Sequence, residues 1–260
     1  MLEVHSAHKH RLTDEHVDGD VLRIASYNIH RCVGSDFRRD VERVARVILE
    51  MGCDTVGLQE VDNRGGEEHD SMQLDYLAAA TGMHAIAGAT ILRHEGHYGN
   101  ALLTRRRIVS ICRHDLSFRR YEPRGALEVD LEVGGNIVRV LVTHLGLWRA
   151  ERKYQVQKIL ARIREFPDEQ SIVVLGDINE WLPLGRPLRW LHGLLGKPPW
   201  ERTFPVWAPM FALDRVWVRP RGSLLKLEVH RTELSRKASD HYPIKALVAS
   251  HAVALRERGA

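Results

Sequence analysis

Apolar residues along this chain form short unbroken runs of strand length, interleaved with stretches in which they return every three or four positions. The first run, Val21 to Tyr27, is apolar and β-branched and leads straight into Asn28, as a buried strand delivering a polar residue would. Val41, Val44, Ala45, Ile48 and Met51 then recur at helical spacing, after a cap at Ser35 or Asp36 and before Gly52. Thr55 to Leu58 is a second strand run, ending on Gln59 and Glu60. Ser71 to Ala80 reads as a helix stopped by Gly82, and strands follow at Met83 to Ala87, Asn100 to Thr104 and Ile108 to Ile111.

Ala126 to Val133 and Ile137 to Thr143 are joined through Gly134, Gly135 and Asn136, which tolerate the positive φ of a hairpin turn, so this pair is expected to be antiparallel. It runs into His144. Arg149 to Phe166 is the longest helical pattern, closed by Pro167, and Ser171 to Gly176 follows as a buried strand. Trp181 to Met210 holds most of the prolines and four of the six tryptophans, which marks an irregular segment bordering the site, with one short helix near Leu188 to Leu195. Strands at Leu213 to Val218, Leu225 to His230 and Ile244 to Val248 complete the pattern. Strands mixed with helices, with one evident hairpin, imply sheets packed face to face and helices outside.

Composition narrows this picture only slightly. A length of 260 residues and a hydrophobic share of 44% suit one substantial core, expected over 21–250, with a flexible lead-in at 1–20 and a short tail at 251–260. No apolar run approaches the roughly 18 residues of a membrane span, and the His- and Asp-rich start lacks the apolar stretch of a secretory signal. Three cysteines, Cys32, Cys53 and Cys112, lack paired spacing, so a reducing cytoplasm is expected rather than a disulfide framework or zinc site. A net charge of +4 mildly favours anionic partners. Monomer is the default for a self-contained fold of this size.

The chemistry is concentrated where strands end, at Asn28, Glu60, His144, Asp177, Asn179, Asp214, Asp240 and His241. Hard cations such as Mg2+ prefer oxygen ligands, and Asn28, Glu60 and Asp240 are suitable types. Imidazole and carboxylate supply proton transfer and water activation. Each residue also has an ordinary reading: Asn28 as a turn residue, Glu60 as a solvated carboxylate, His144 as a structural histidine, Gly176 to Asn179 as an Asx-turn, and Asp214 in a surface pair with Arg215. The run Arg105 to Arg107 reads as a solvated turn.

Eight blocks in order carry a resemblance: S-Y-N-I-H from Ser26, L-Q-E-V-D from Leu58, Y-G-N-A-L-L-T from Tyr98, P-R-G-A-L from Pro123, V-T-H-L from Val142, G-D-I-N from Gly176, L-D-R-V from Leu213 and S-D-H-Y-P from Ser239. Together they resemble the endonuclease/exonuclease/phosphatase superfamily, also called DNase I-like. The resemblance implies an α+β fold, a four-layer α/β/β/α sandwich of two mixed sheets with outer helices and a site at one end. It implies Glu60 as principal metal ligand with Asn28 and Asp240, Asp177 aiming water, and Asn179 contacting phosphate. His241 paired with Asp214 would bind the scissile phosphate, and His144 would protonate the leaving oxygen. Arg124, Tyr98 and Asn100 would meet substrate. Mg2+ or Mn2+ is the implied cofactor, and the implied partner is a phosphoester, either nucleic acid or a phospholipid or small phosphodiester. Gln59-Glu60-Val61-Asp62 lacks the lysine that abasic-site endonucleases place two residues after the glutamate. A phosphomonoesterase for a lipid, inositol or sugar phosphate is the alternative, and an inactive phosphoester-binding module is the third reading.

Overall fold

The computed structural model describes residues 20–64, 72–94 and 96–251. The expected lead-in and tail lie outside these residues apart from Asp20 and His251, as does Ser71, the expected start of the second helix. The first crossover joins β1 (Val21–Asn28) through α1 (Val41–Met51) to β2 (Thr55–Asn63), and the two strands pair in parallel from Ile24 opposite Thr55 to Asn28 opposite Gln59. Helix α1 buries Val41, Val44, Ala45, Ile48 and Met51, the residues whose spacing predicts it. Its cap is Asp40, whose carboxylate accepts Arg43 N at 2.8 Å, and not Ser35 or Asp36. Only a residue directly ahead of the first turn reaches its free N–H groups, and Asp36 instead binds the Arg43 guanidinium at 2.7 and 3.1 Å.

α2 (Gln73–Thr81), β3 (His84–Arg93) and β4 (Gly96–Thr104) follow. Both strands run longer than their apolar runs, because they pair as a hairpin out to Arg93 opposite Gly96, and the β3 end of it, Leu92 and Arg93, is exposed and needs no apolar alternation. The second group comprises β5 (Arg107–Asp115), β6 (Gly125–Val133), β7 (Asn136–His144), α3 (Arg149–Arg164), β8 (Ser171–Asp177), α4 (Arg186–Leu195) and β9 (Asp214–Arg219). Gly134 and Gly135, at φ 56° and 76°, make the β6–β7 turn, with Val133 opposite Asn136. The chain returns to the first sheet with β10 (Leu224–Val229), α5 (Glu233–Ala238) and β11 (Ile244–Ala249). Helix α5 has no counterpart in the apolar pattern. It is six residues long, is capped by Thr232 Oγ1 accepting Ser235 N at 3.1 Å, and packs only Leu234 and Ala238 against the core, too short a stripe to show as a period.

The strand orders are β10-β11-β1-β2-β4-β3 and β5-β6-β7-β8-β9. Leu22, Ile24, Leu102, Leu127, Val140, Val173, Leu175 and Val216 fill the space between the sheets. On the outer face of the first sheet, α1 and α2 cover Tyr27, Val56, Leu58 and Leu103, and on that of the second, α3 and α4 cover Leu141, Ile172, Val174 and Trp217. Two mixed sheets with helices on both outer faces form the four layers of an α+β sandwich. The Arg105–Arg107 run is not simply solvated. Arg105 donates to Thr81 O and Gly82 O, capping α2, Arg106 binds Asp54, and Arg107 pairs with Glu132, since the turn lies against these acceptors. None of the described helices is long and apolar enough to cross a membrane.

Candidate active site

Parallel pairing puts the C-terminal ends of β1 and β2 side by side, and likewise those of β7 and β8, with His144 opposite Asp177. Strand β9 runs antiparallel to β8, so its first residue, Asp214, sits opposite Asp177. The residue preceding Asp177 is Gly176, at φ 144°, where a Cβ would stand 1.8 Å from Thr143 O. Glycine is therefore required for β8 to reach its last residue. Glu60 lies at a register break in β2 between Leu58 and Val61, with φ 60°. Such a bulge turns one side chain out of the regular alternation, here toward the strand ends.

Asn28 joins the two sheets. Its Nδ2 donates to Glu60 Oε1 and to Asp177 Oδ2, both at 3.1 Å, while its Oδ1 accepts His30 N at 3.0 Å. Asp177 Oδ1 likewise accepts the N–H two residues on, Asn179 N, at 2.9 Å. The ordinary reading of both residues as Asx-type turns is thus correct locally, yet the other atom of each side chain faces the shared space. After Asn28 the chain makes a left-handed turn, His30 to Cys32 all having φ between 46° and 59°. Left-handed backbone is unfavourable for these residue types, and clusters of it accompany functional sites.

His241 Nδ1 lies 2.8 Å from Asp214 Oδ2, and its Nε2 is 3.8 Å from Asp177 Oδ2. Burial opposes a charge on this ring, but Asp214, through charge and hydrogen bond, together with Asp177 and Asp240 outweighs it and raises the pKa to about 10. His241 is an imidazolium at neutral pH. The ligand atoms of Asp177, Asp214 and His241 converge within 4.8 Å, but the positive charge between these carboxylates is already that of the ring, and a second cation there would displace its proton. His144 is the opposite case. Burial and the neighbouring Arg124, against the pull of Asp177, lower its pKa to about 3. Arg124 Nη1 lies 3.1 Å from His144 Nδ1, and since a guanidinium only donates, Nδ1 is the acceptor and the proton sits on Nε2. Asn179 Nδ2 lies 3.0 Å from that Nε2, but both are donors in this tautomer, so its hydrogen bond goes to Leu145 O at 2.8 Å and the Nε2–H faces Asp177 Oδ2 at 3.5 Å.

Glu60 and Asp240 are half-buried at either side of Asn28, whose carbonyl oxygen accepts the hydroxyl of Ser239 at 2.7 Å. By type the donors fit a hard divalent ion, both being partly exposed carboxylates, and His30 Nδ1 lies 3.6 Å from Asp240 Oδ1. Two expected substrate contacts are engaged elsewhere. Asn100 Nδ2 donates to Gly125 O at 3.0 Å, tying β4 to β6, and the buried Tyr98 ring lies under the guanidinium groups of Arg31 and Arg93, at 5.2 and 6.0 Å. Arg215 is buried over Trp200 at 4.3 Å and leaves Asp214 to His241.

Two contributors have no sequence signal. Thr203 Oγ1 donates to Asp214 Oδ2 at 2.5 Å, and the Phe204 ring packs 4.6 Å from that of His241. Both lie in the irregular segment, where no periodicity marks a position. Ser239 was visible in its block, and its hydroxyl also accepts His241 N at 3.2 Å.

Known proteins are similar to this chain to different degrees. The Escherichia coli (strain K12) protein YbhP is 30% identical over 244 residues, covering 86% of this chain and 95% of its own. The Bacteroides thetaiotaomicron mannosyl-6-phosphatase Bt3783 has a similar fold, with TM-score 0.66 and 18% identity over 87% of this chain and 99% of that one. Danio rerio TDP2, solved with a single-strand DNA product, gives TM-score 0.62 and 17% identity over 87% and 98%. The model of the endonuclease/exonuclease/phosphatase family matches residues 25–241, from the middle of β1 to the imidazole beside Asp214, and the chain belongs to that family.

Proposed function

We propose that the protein hydrolyses phosphodiester bonds, with a divalent ion and by in-line attack of water. The observation that carries this reading is the setting of Asp177. It receives Asn28 Nδ2 on one oxygen and Asn179 N on the other, with His144 Nε2 at 3.5 Å and His241 Nε2 at 3.8 Å. A carboxylate so fixed can orient and deprotonate a water held above it.

Glu60 and Asp240 would hold Mg2+ or Mn2+, which when bound offsets charge on a phosphate oxygen. Asn28, expected among the ligands, turns its amide nitrogen to Glu60 and Asp177 and sets the separation of those two carboxylates. His241 and Arg124 bring two positive charges to the phosphate side, and Asn179 adds an amide; such preset groups stabilise charge that develops during transfer. His144, neutral and buried, turns its Nε2 toward Asp177 Oδ2 at 3.5 Å and so helps to position that carboxylate. The proton for the leaving oxygen comes from His241, the ring that carries two.

A phosphomonoesterase acting on a lipid, inositol or sugar phosphate is the second reading, favoured by the same two cations, which suit a dianionic terminal phosphate. The test is hydrolysis of soluble phosphodiesters and phosphomonoesters side by side with Mg2+, then with EDTA, using Asp177→Asn as the control. Diester turnover lost in EDTA and in the variant is the expected result. Preference for monoesters moves the assignment to the second reading, and tight binding with no turnover of either moves it to a binding module.

A further inference from the structure

The end of the sandwich that carries His144, Asp177 and Asp214 also exposes large apolar side chains on three loops: Leu147 and Trp148 after β7, Leu182 and Leu184 after β8, and Trp207 and Met210 before β9. Leu184 is 80% and Trp207 72% exposed. Scattered exposed apolar residues are ordinary, but a group gathered on three loops at one end of a sheet marks an interaction surface.

These loops are braced against one another. Arg152 donates to Leu147 O at 2.5 Å and to Glu180 Oε2 at 3.2 Å, joining the first loop to the second. The Trp181 ring meets Phe204 and Phe211 edge-on at 5.6 and 4.7 Å, joining the second to the third. Phe204 and Phe211 pair through N–H···O bonds of 3.1 and 2.9 Å, so the segment between them is a small hairpin that holds Trp207 outward, and Phe204 anchors it on His241. The charges on the same rim are mostly basic. Arg119, Arg120, Arg149, Arg186 and Arg202 are exposed, whereas Glu151 and Glu180 are buried and hydrogen-bonded and Glu122 pairs with Arg124.

We infer that this rim docks the catalytic end on an anionic phospholipid surface, with Leu182, Leu184 and Trp207 entering the boundary between headgroups and acyl chains and the arginines meeting lipid phosphates. Apolar side chains ringed by basic ones suit that boundary. Single-stranded nucleic acid suits it less well, because bases stack on aromatic faces along a basic groove, and Leu147, Leu182, Leu184 and Met210 offer no such face. The inference rests on the phosphoesterase reading for its consequence, which is that the substrate phosphate is presented by a membrane.

The test uses the full chain with sucrose-loaded vesicles of phosphatidylcholine alone or mixed with phosphatidylglycerol, with sedimentation in EDTA so that binding is read without turnover. Hydrolysis of bis(p-nitrophenyl) phosphate with Mg2+ is read separately, and oligo-dT binding runs in parallel. The mixed vesicles should bind the protein more tightly than neutral ones. Leu184→Ser and Trp207→Ser should each weaken that partition about tenfold and leave soluble-ester turnover unchanged. Leu49→Ser, an equally plain exposed leucine on α1, should leave partition unchanged. No vesicle binding, wild-type partition by both rim variants, or an equal loss in Leu49→Ser overturns the inference, as does oligo-dT binding that the rim variants abolish. Rim-dependent vesicle binding without soluble-ester turnover keeps the docking surface and removes the phosphoesterase reading; turnover without vesicle binding does the reverse.

Discussion

Asn28 Nδ2 lies 3.1 Å from Asp177 Oδ2, so the last residue of β1 in one sheet holds the last residue of β8 in the other across 149 positions of sequence. The same nitrogen serves Glu60 Oε1. One amide thereby sets the spacing between the carboxylate proposed to hold metal and the carboxylate proposed to aim water. It also places a donor between two like charges that would otherwise repel.

Replacing Asn28 with Ala should therefore disturb catalysis more than folding. Loss of a buried donor that serves two carboxylates costs about 1 to 3 kcal/mol of stability, read as a lower urea midpoint. Turnover of a soluble diester should drop by about 100-fold, the loss common when one preset group of a site is removed. A variant that unfolds earlier but turns over at the wild-type rate would separate this amide from the reaction.

Asp214→Asn keeps the side chain's shape and removes its charge, leaving His241 without the anion 2.8 Å from Nδ1. The imidazolium is the main positive group facing Asp177, so kcat should fall by about 100-fold or more with little change in KM or in the circular dichroism spectrum. Thr203→Val, which deletes the hydroxyl donating to the same carboxylate oxygen, should lower kcat in the same direction by less. If Asp214→Asn raised KM alone, Asp214 would be a binding residue and not the partner that charges the ring.

Much of this site was legible because strands end on it. The runs Val21–Tyr27, Thr55–Leu58 and Ser171–Gly176 each hand the chain to a polar residue; parallel pairing of β1 and β2 brings Asn28 beside Glu60, and the packing of the two sheets brings Asp177 against Asn28. What stayed hidden depends on three-dimensional neighbours. Thr203 and Phe204 sit in an aperiodic segment and acquire meaning only when Asp214 and His241 are beside them. Helix α5 is one cap and a single apolar pair, Leu234 and Ala238, so no periodicity marks it. Asn100 shares a block with Tyr98, yet its amide is used to tie two strands, a distinction that residue type alone does not carry.

Glu60 stands in a left-handed bulge with one oxygen bonded to Asn28, an arrangement that costs backbone energy unless the side chain is needed where it points. Glu60→Gln keeps the geometry and removes the charge a divalent ion requires. Chelation should abolish wild-type turnover, with Mg2+ or Mn2+ restoring it, whereas the variant should stay inactive at the same ion concentration. Wild-type stimulation by Mg2+ in Glu60→Gln would move the ion to other ligands.

Glu128 lies far from this chemistry, under α3 on the outer face of the second sheet. It accepts Arg162 Nη2 and Nε at 2.8 and 2.9 Å and faces His114 Nε2 at 2.8 Å, with Arg139 Nε at 3.2 Å. Burial alone would raise its pKa, but the hydrogen bonds from Arg162 and His114 and the charge of Arg139 outweigh it and hold the carboxyl below its usual range. Between the folded value and the unfolded one of about 4.3, the unfolded chain binds more protons, so stability there rises with pH. The contribution of Glu128 is therefore complete above the unfolded pKa and disappears as pH falls through the folded one. Tm of the wild type should drop steeply on acidification below pH ~5. Glu128→Gln should start lower at neutral pH, because its cations have lost their counter-charge, and should fall less over the same interval. Parallel Tm curves for the two proteins would show that acid sensitivity comes from other carboxylates.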